Sequence, residues 1–443
     1  MMTYVILFGL LVAYKANGWL MALLPATALI SWGLTDLMKK ARTKAWKRFW
    51  LIVVVLVDLA PLIYFKYTNF FISIFNDAFA TNFSPLSIIL PVGISFYTFQ
   101  AISYSVDTYK QKITYDVSLL EYCFYITFFP LLFAGPITRT DTLVPQLRYK
   151  SPIDGKLVNL GLWLIILGLL KKGIVADYLA QYTTNMIFDN PADYSGFEVA
   201  MGVFGYAMQI YCDFSGYSDL SIGLAAIMGF RLLPNFNFPY KSRSVTEFWR
   251  RWHISLSTWF RDYVYIPLGG NRKGKCRTYL NNFITMLVAG LWHGSTWMFI
   301  IWGALHGAAL VIHKFCKSLF LDKIKDNIPV KFFSWLITFV FVLVTWIFFA
   351  SKNMDDACVV FSKIGTDFDW AYLVPFVGAR TMWTVFALLA FILHFTPYKW
   401  NEKIKEYFVK SPWIVKLLLF ALAVQLVINF SQDSVQPLIY AQF

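Results

Sequence analysis

Charge is scarce in this sequence: only 14% of its 443 residues are Asp, Glu, Lys or Arg, against about 25% in an ordinary soluble domain. A chain so poor in ionised groups is not built for water, and little of it is left over for a soluble domain. Acids are the rarer sign, with 25 Asp and Glu against 39 Lys and Arg. The five cysteines (Cys123, Cys212, Cys276, Cys316, Cys358) form no CxxC or zinc-type spacing and read as free thiols, mostly core filler. Only five histidines occur; no HxxxH, HxH or HExxH pairing links them, so no metal site is expected. The absence of GxSxG and of a GxxxxGKS/T loop removes serine-hydrolase and P-loop readings. No internal repeat is visible, which counts against a transporter built from inverted halves.

What is present is apolar and aromatic. Hydrophobic residues make up 58% of the chain, including 43 Phe, 25 Tyr and 17 Trp. A hydrocarbon core about 30 Å thick needs roughly 20 apolar residues per helical span. Stretches of that kind lie near 3–14, 18–34, 49–67, 86–106, 119–135, 157–180, 197–230, 279–312, 332–350, 381–396 and 412–430. The expected fold is therefore all-α: a polytopic transmembrane helical protein, one domain over residues 1–443, with about ten to eleven spans. Stretch 3–14 is too short to span upright. It lacks the basic start of a signal peptide and is followed at once by a second apolar stretch, so an uncleaved first hairpin is expected. Pro91 and Gly93 interrupt another stretch, and breakers at membrane depth need protein or a polar cavity to satisfy the freed backbone.

The formal charge of +14 is unevenly spread. Lys39, Lys40, Arg42, Lys44, Lys47 and Arg48 stand together without an acid, which places loop 39–48 on the cytoplasmic side. Basic loops between apolar spans face anionic lipid, so membrane lipids are the expected partner and nucleic acid is not. Segment 241–277 carries nine Lys or Arg against Glu247 and Asp262, interleaved with Trp249, Trp252, Trp259, Phe260 and Tyr263. Such charge density rules out a span. An interfacial or re-entrant helix is expected, its rings at headgroup depth and its cations reaching lipid or a phosphorylated ligand. Arg250, Arg251 and Arg261, with Trp249, are thus candidate substrate-binding residues.

Ionisable groups inside apolar stretches are costly and point to function. His293 sits between Gly290 and Gly294 after an apolar run from Tyr279 that is about 22 Å long if helical. A break after it would leave the imidazole within the membrane, with Ser295 capping the next helix. Such an imidazole can take the proton of a hydroxyl attacking an acyl thioester. A hydrogen bond in a helix interface is the alternative, and spacing alone leaves it open. His306 and His313 share a helix face; His313, beside Lys314, suits an interfacial role, and His394 has no polar neighbours and suits packing. Asp213 and Asp219 need partners, for which Arg243, Arg250, Arg251 and Arg261 are available. Tyr97 and Gln100 suggest a wall facing a cavity, although core hydrogen bonding would explain these groups as well.

The run EFWRRWHISLSTWFRDYVYIPLGGNRKGK followed by LVAGLWHGSTWMFIIWGALHG resembles the membrane-bound O-acyltransferase superfamily, and within it the alginate O-acetyltransferase branch. PVGISFYTFQAISYSVDTY (91–109), FFPLLFAGPITR (128–139) and YCDFSGYSDLSIGLAAIMGFRLLPNFNFPY (211–240) match in the same order, so the motif-bearing core covers residues 85–313. The resemblance implies a funnel-like site ringed by helices, with His293 of the WHG motif catalytic and His253 of FWRRWH beside it. It also implies acetyl-CoA as cytosolic donor, with no bound cofactor, and an extracytoplasmic hydroxyl acceptor in exopolysaccharide or cell wall. An SGNH-type acetyltransferase partner and a bacterial inner-membrane location complete the expectation. Transfer of D-alanine from a carrier protein to a teichoic acid, which a sister branch performs, is the near alternative; a non-catalytic saccharide exporter is the distant one. Members carry a further apolar segment ahead of the counterpart of residues 3–34, so this chain is expected to be short at its start.

Overall fold

The computed structural model describes residues 2–149, 154–319, 324–430 and 439, and among these every regular element is helical. The chain divides into two compact units, Met1–Val158 with Leu224–Leu233, and Asn159–Gly223 with Pro234–Phe443.

In the first unit, α1 (Met2–Asn17) and α2 (Leu23–Lys40) run on from one another through a 3-10 turn at Gly18–Ala22. Together they make one apolar stretch of 39 residues, interrupted at Gly18, whose φ of +56° leaves the helical path. Helix α3 (Lys44–Phe79) is capped by the Thr43 hydroxyl, which accepts the Trp46 N–H, and ends at Ala80 in the left-handed conformation.

Helix α4 (Ile94–Tyr109) starts only after Pro91, Val92 and Gly93, so the stretch expected over 86–106 is a 16-residue helix preceded by irregular chain. Gly93 has φ +88°, and a Cβ there would lie 2.3 Å from the Leu132 carbonyl oxygen, a place only glycine can occupy. The Asn17 side chain satisfies the freed backbone, donating to the Val92 carbonyl and accepting the Val92 N–H at 2.7 Å. Helix α5 (Leu119–Thr127) is opened by a Ser118–Glu121 capping box. The FFPLLFAGPITR segment then leaves the helix, which cuts the stretch expected over 119–135 to nine residues. Its irregular backbone is buried, and the Tyr125 hydroxyl donates to the Thr138 carbonyl at 2.9 Å. Helix α6 is Thr140–Arg148.

The second unit holds most of a long helical run, α7 (Gly155–Asp189), which contains two π-helical stretches, Leu170–Ala176 and Ala180–Thr184. It also holds most of α8 (Gly196–Ile227), then two short helices, α9 (Val245–Arg251) and α10 (Ile254–Phe260). A hairpin follows, α11 (Gly274–His293) and α12 (Trp297–Leu319), and then α13 (Ile328–Ala350) and α14 (Met354–Thr366). The chain continues with α15 (Leu373–Ala379), α16 (Thr381–Phe395), α17 (Tyr398–Lys410) and α18 (Trp413–Phe430). Segment 241–277 is not one amphipathic helix. Trp252 and Trp259 are buried at 0% and 5% exposure, so these rings pack within the protein, Trp252 in the unit's core.

Among the described residues six helical runs are long and apolar enough to cross a membrane: Met2–Lys40, α3, α7, α12, α13 and α18. A seventh arises if Trp370–Ala379 and α16, bent by 103° to each other, form one broken span. The protein is a multi-pass membrane protein, and large apolar side chains such as Ile337, Ile392 and Leu418 stand exposed on these helices, as lipid-facing surface does.

Candidate active site

His293 owes its position to glycine. Helices α11 and α12 pack so closely that a Cβ on Gly290 would lie 2.3 Å from the Phe299 carbonyl oxygen, and one on Gly303 2.5 Å from that of Met286. Small residues let membrane helices approach in this way. Helix α11 ends at His293 itself, since Gly294 is extended. The imidazole, 3% exposed, is held edge-on against Trp302 with ring centroids 4.9 Å apart and against Phe349 at 5.3 Å. The break expected from the sequence therefore falls where the catalytic candidate stands.

His253 sits between α9 and α10 with φ +41° and no exposed surface. Asn235 holds it there. Its Oδ1 accepts the Ser255 N–H and hydroxyl and faces His253 Nδ1 at 3.1 Å, so Nδ1 carries the ring proton and Nε2 keeps its lone pair. Complete burial pushes this imidazole well below its ordinary pKa, which keeps it neutral. Trp292 bridges the two histidines, 6.2 Å from His253 and 4.9 Å from His293 between centroids. His306 is drawn into the same aromatic cluster: its Nδ1 accepts from Trp249 Nε1 at 3.2 Å, and its ring lies 4.7 Å from Trp302. His313 Nδ1 pairs with the Thr246 hydroxyl at 3.0 Å. His394 does have polar company, accepting the Tyr240 N–H at Nε2.

Behind Phe299 and Phe349 opens a cavity of about 350 Å³. Lys172, Asp177, Asp189, Gln209, Asp213 and Lys352 contribute to its wall. Asp213 is 2% exposed and is neutralised by Lys172 at 2.5 Å, which also reaches Asp177 at 2.7 Å; Asp219 pairs with Lys171 at 2.7 Å. The arginines expected as partners of these carboxylates are engaged elsewhere: Arg243 with Asp326, Arg251 with Glu247 and the Asn237 carbonyl, Arg261 with Asp262. Both lysines lie in the π-helical stretch Leu170–Ala176 of α7 and meet carboxylates of α8, and π-helical turns of this kind are frequent at functional sites. The Ile439 N–H donates to the second oxygen of Asp213.

Of the other sequence candidates, Arg250 and Arg261 are exposed, and Trp249 is committed to His306. Tyr97 and Gln100 belong to the first unit, each 4% exposed. There Tyr97 lines a cavity of only about 10 Å³, while the histidine cluster is assembled in the second unit. Asn235, Lys172 and Gln209 are the residues that sequence reasoning missed. Lys171 and Lys172 were visible as cations inside an apolar stretch, and Gln209 stands one helical turn before Asp213 on the same face.

The family model of the membrane-bound O-acyltransferases matches residues 110–354, a range that takes in every histidine described above except His394. The chain is 43% identical to "Probable alginate O-acetylase AlgI" of Pseudomonas aeruginosa over 71% of its length and 60% of the relative's. To "Peptidoglycan O-acetyltransferase" of Helicobacter pylori it is 39% identical over 72% and 65%. With "Teichoic acid D-alanyltransferase" of Bacillus subtilis it shares 29% over 52% and 60%. The matched part is thus under two-thirds of each relative's own length. With the motifs in order and the model matching more than half of the sequence, the chain belongs to the membrane-bound O-acyltransferase family.

Proposed function

We propose that this protein is a membrane O-acyltransferase that moves acetyl from acetyl-CoA on the cytosolic side to a hydroxyl acceptor on the other side of a bacterial inner membrane, with ten to eleven crossings in the complete fold. The observation that carries the reading is His293: a buried imidazole at a helix end, one ring away from a polar-walled cavity. In this role a ring nitrogen takes the acceptor's proton while its oxygen attacks the thioester carbonyl. The C–S bond then breaks, and the imidazolium returns the proton to the departing thiolate. Trp302 and Phe349 orient the ring, and His253, fixed by Asn235, positions the acceptor or donor. Arg250, which is exposed, suits the phosphates of the donor better than Arg251 and Arg261, whose guanidinium groups are already shared with Glu247 and Asp262. The names of the relatives support exopolysaccharide or cell-wall O-acetylation; an SGNH-type protein that receives the group is the partner this reading calls for.

The test is transfer of labelled acetyl by purified protein. General-base assistance contributes about 10²–10⁴ in rate, so His293→Ala should lose at least that factor while remaining monodisperse in detergent. Activity within a few-fold of the parent would overturn the assignment.

A further inference from the structure

We infer that Trp302 and His306 supply the pair of N–H groups that receives the carbonyl oxygen of the acyl donor, beside His293 as the base. This rests on the acyl-transfer reading and adds to it the groups that carry the negative charge of its transition state.

Both groups are hydrogen-bond donors. An indole N–H can only donate. In His306, Nδ1 accepts from Trp249 Nε1 at 3.2 Å, so the proton of the neutral ring is on Nε2. Trp302 Nε1 and His306 Nε2 are buried without a hydrogen-bond partner among the described residues, and both side chains have 0% exposure. Buried polar atoms are nearly always satisfied, so an orphan asks for an explanation. Here two orphaned donors stand one helical turn apart on the same face of α12, their ring centroids 4.7 Å from each other. One acceptor atom lodged against both rings explains the two together.

Their place suits the reaction. Trp302 lies 4.9 Å from His293 between centroids, so base and donors border one spot. On the other side Trp249, which holds His306, adjoins Arg250 in the sequence, and a donor anchored there by its phosphates extends past Trp249 toward the pair. Phe341 and Phe349, at 5.2 Å from His306 and 5.4 Å from Trp302, keep water away. In so dry a place fixed N–H dipoles act on developing charge far more strongly than in water. Phe341 is only half-buried, which leaves it room to give way as the thioester enters. As the acceptor's oxygen bonds to the carbonyl carbon and its proton passes to His293, the C=O electron pair moves onto the carbonyl oxygen. The two N–H groups hold that oxyanion. Its collapse restores the C=O bond and breaks the C–S bond, and the sulfur takes the proton back from the imidazolium.

The test follows release of CoA from acetyl-CoA and from dithioacetyl-CoA, in which sulfur, a weak hydrogen-bond acceptor, replaces the carbonyl oxygen. Everted membrane vesicles from the source cells carry the full chain with its endogenous acceptor, and vesicles carrying His293→Ala set the background. Trp302→Phe and His306→Leu should each slow release from acetyl-CoA about 10²–10³-fold, the usual loss for one oxyanion donor, with KM changed less than threefold. Each should also lower the parent's preference for acetyl-CoA over dithioacetyl-CoA at least tenfold. Being a ratio, that preference does not depend on how much of a variant folds, and a merely structural role would leave it alone. His306→Gln, which keeps an N–H donor, should recover at least tenfold over His306→Leu. Release within threefold of the parent in both truncated variants would overturn the inference, and so would losses that fall equally on the two donors. Failure of the acyl-transfer reading shows separately, as release by the parent no faster than by His293→Ala.

Discussion

At the scale of single residues, the sequence exposed the histidines and hid what holds them. His293 stood out because a histidine between two glycines in an apolar stretch is costly and marks a candidate. The partners were not, since Lys172 and Asp213 are 41 positions apart and His253 and Asn235 are 18 apart, and only the fold brings them together. Asn235 is the more instructive case. Its amide oxygen serves the His253 ring and both the N–H and hydroxyl of Ser255, and its own backbone carbonyl accepts the Ile254 N–H. Asn235→Ala removes the acceptor of the buried His253 Nδ1–H and of the half-buried Ser255 N–H and hydroxyl, at a cost of about 1–3 kcal/mol. We expect a lower melting temperature in detergent and transfer reduced less than in His293→Ala, because the base itself remains. Unchanged melting with unchanged transfer would show that His253 does not depend on this clamp.

At the scale of elements, length and apolarity located the long helices, and tertiary contacts decided where others stop. The Pro91 and Gly93 interruption of stretch 86–106 was legible, and its cause is the approach of Gly93 to Leu132; the break in 119–135 was not, and there residues 128–139 are held by bonds such as Tyr125 to Thr138. The α11 and α12 hairpin turns the same physics into a prediction. Gly290→Ala puts a methyl against the Phe299 carbonyl, and overpacking of this kind costs about 1–3 kcal/mol. It also displaces Trp302 from His293, so stability and transfer should fall together. Gly365→Ala in α14 meets nothing within 4 Å and should be neutral or slightly stabilising, as alanine is the better helix former; equal effects at both sites would refute the close-packing account. The start of α5 gives a pH test. Arg148 bonds both oxygens of Glu121 at 2.6 and 2.8 Å, and that contact above all holds the carboxyl down at about 2 from an ordinary 4.5. A depressed folded-state pKa means the stabilisation is complete above about pH 4.5 and drains away as pH falls toward 2. The parent should therefore lose melting temperature over that window more steeply than Arg148→Ala, and parallel curves would refute the link.

At the scale of the whole molecule, the sequence already contains an orientation, and α3 is where to test it. The helix is 36 residues long, about 54 Å at 1.5 Å per residue, well beyond a hydrocarbon core of about 30 Å, so its ends lie on opposite sides if it crosses. The chain before and at its start carries Lys39, Lys40, Arg42, Lys44, Lys47 and Arg48, whereas residues 80–93 after it carry no charge. Lys40 pairs with Asp36 and Lys39 with Asp116, but acids weigh little in setting topology, so these pairs do not cancel the bias. The Thr43 end is then cytoplasmic and the Ser84 end extracytoplasmic. Both residues are exposed, and the five native cysteines are free thiols that can be replaced to give a silent background. In that background, Thr43→Cys should react with a membrane-impermeant maleimide only after the cells are permeabilised. Ser84→Cys should react in intact cells. Thr43→Cys forfeits a helix cap worth about 1 kcal/mol, too little to invert a span flanked by six cations. The opposite labelling pattern would reverse the orientation of α3, and labelling of both positions from outside would mean that it does not cross.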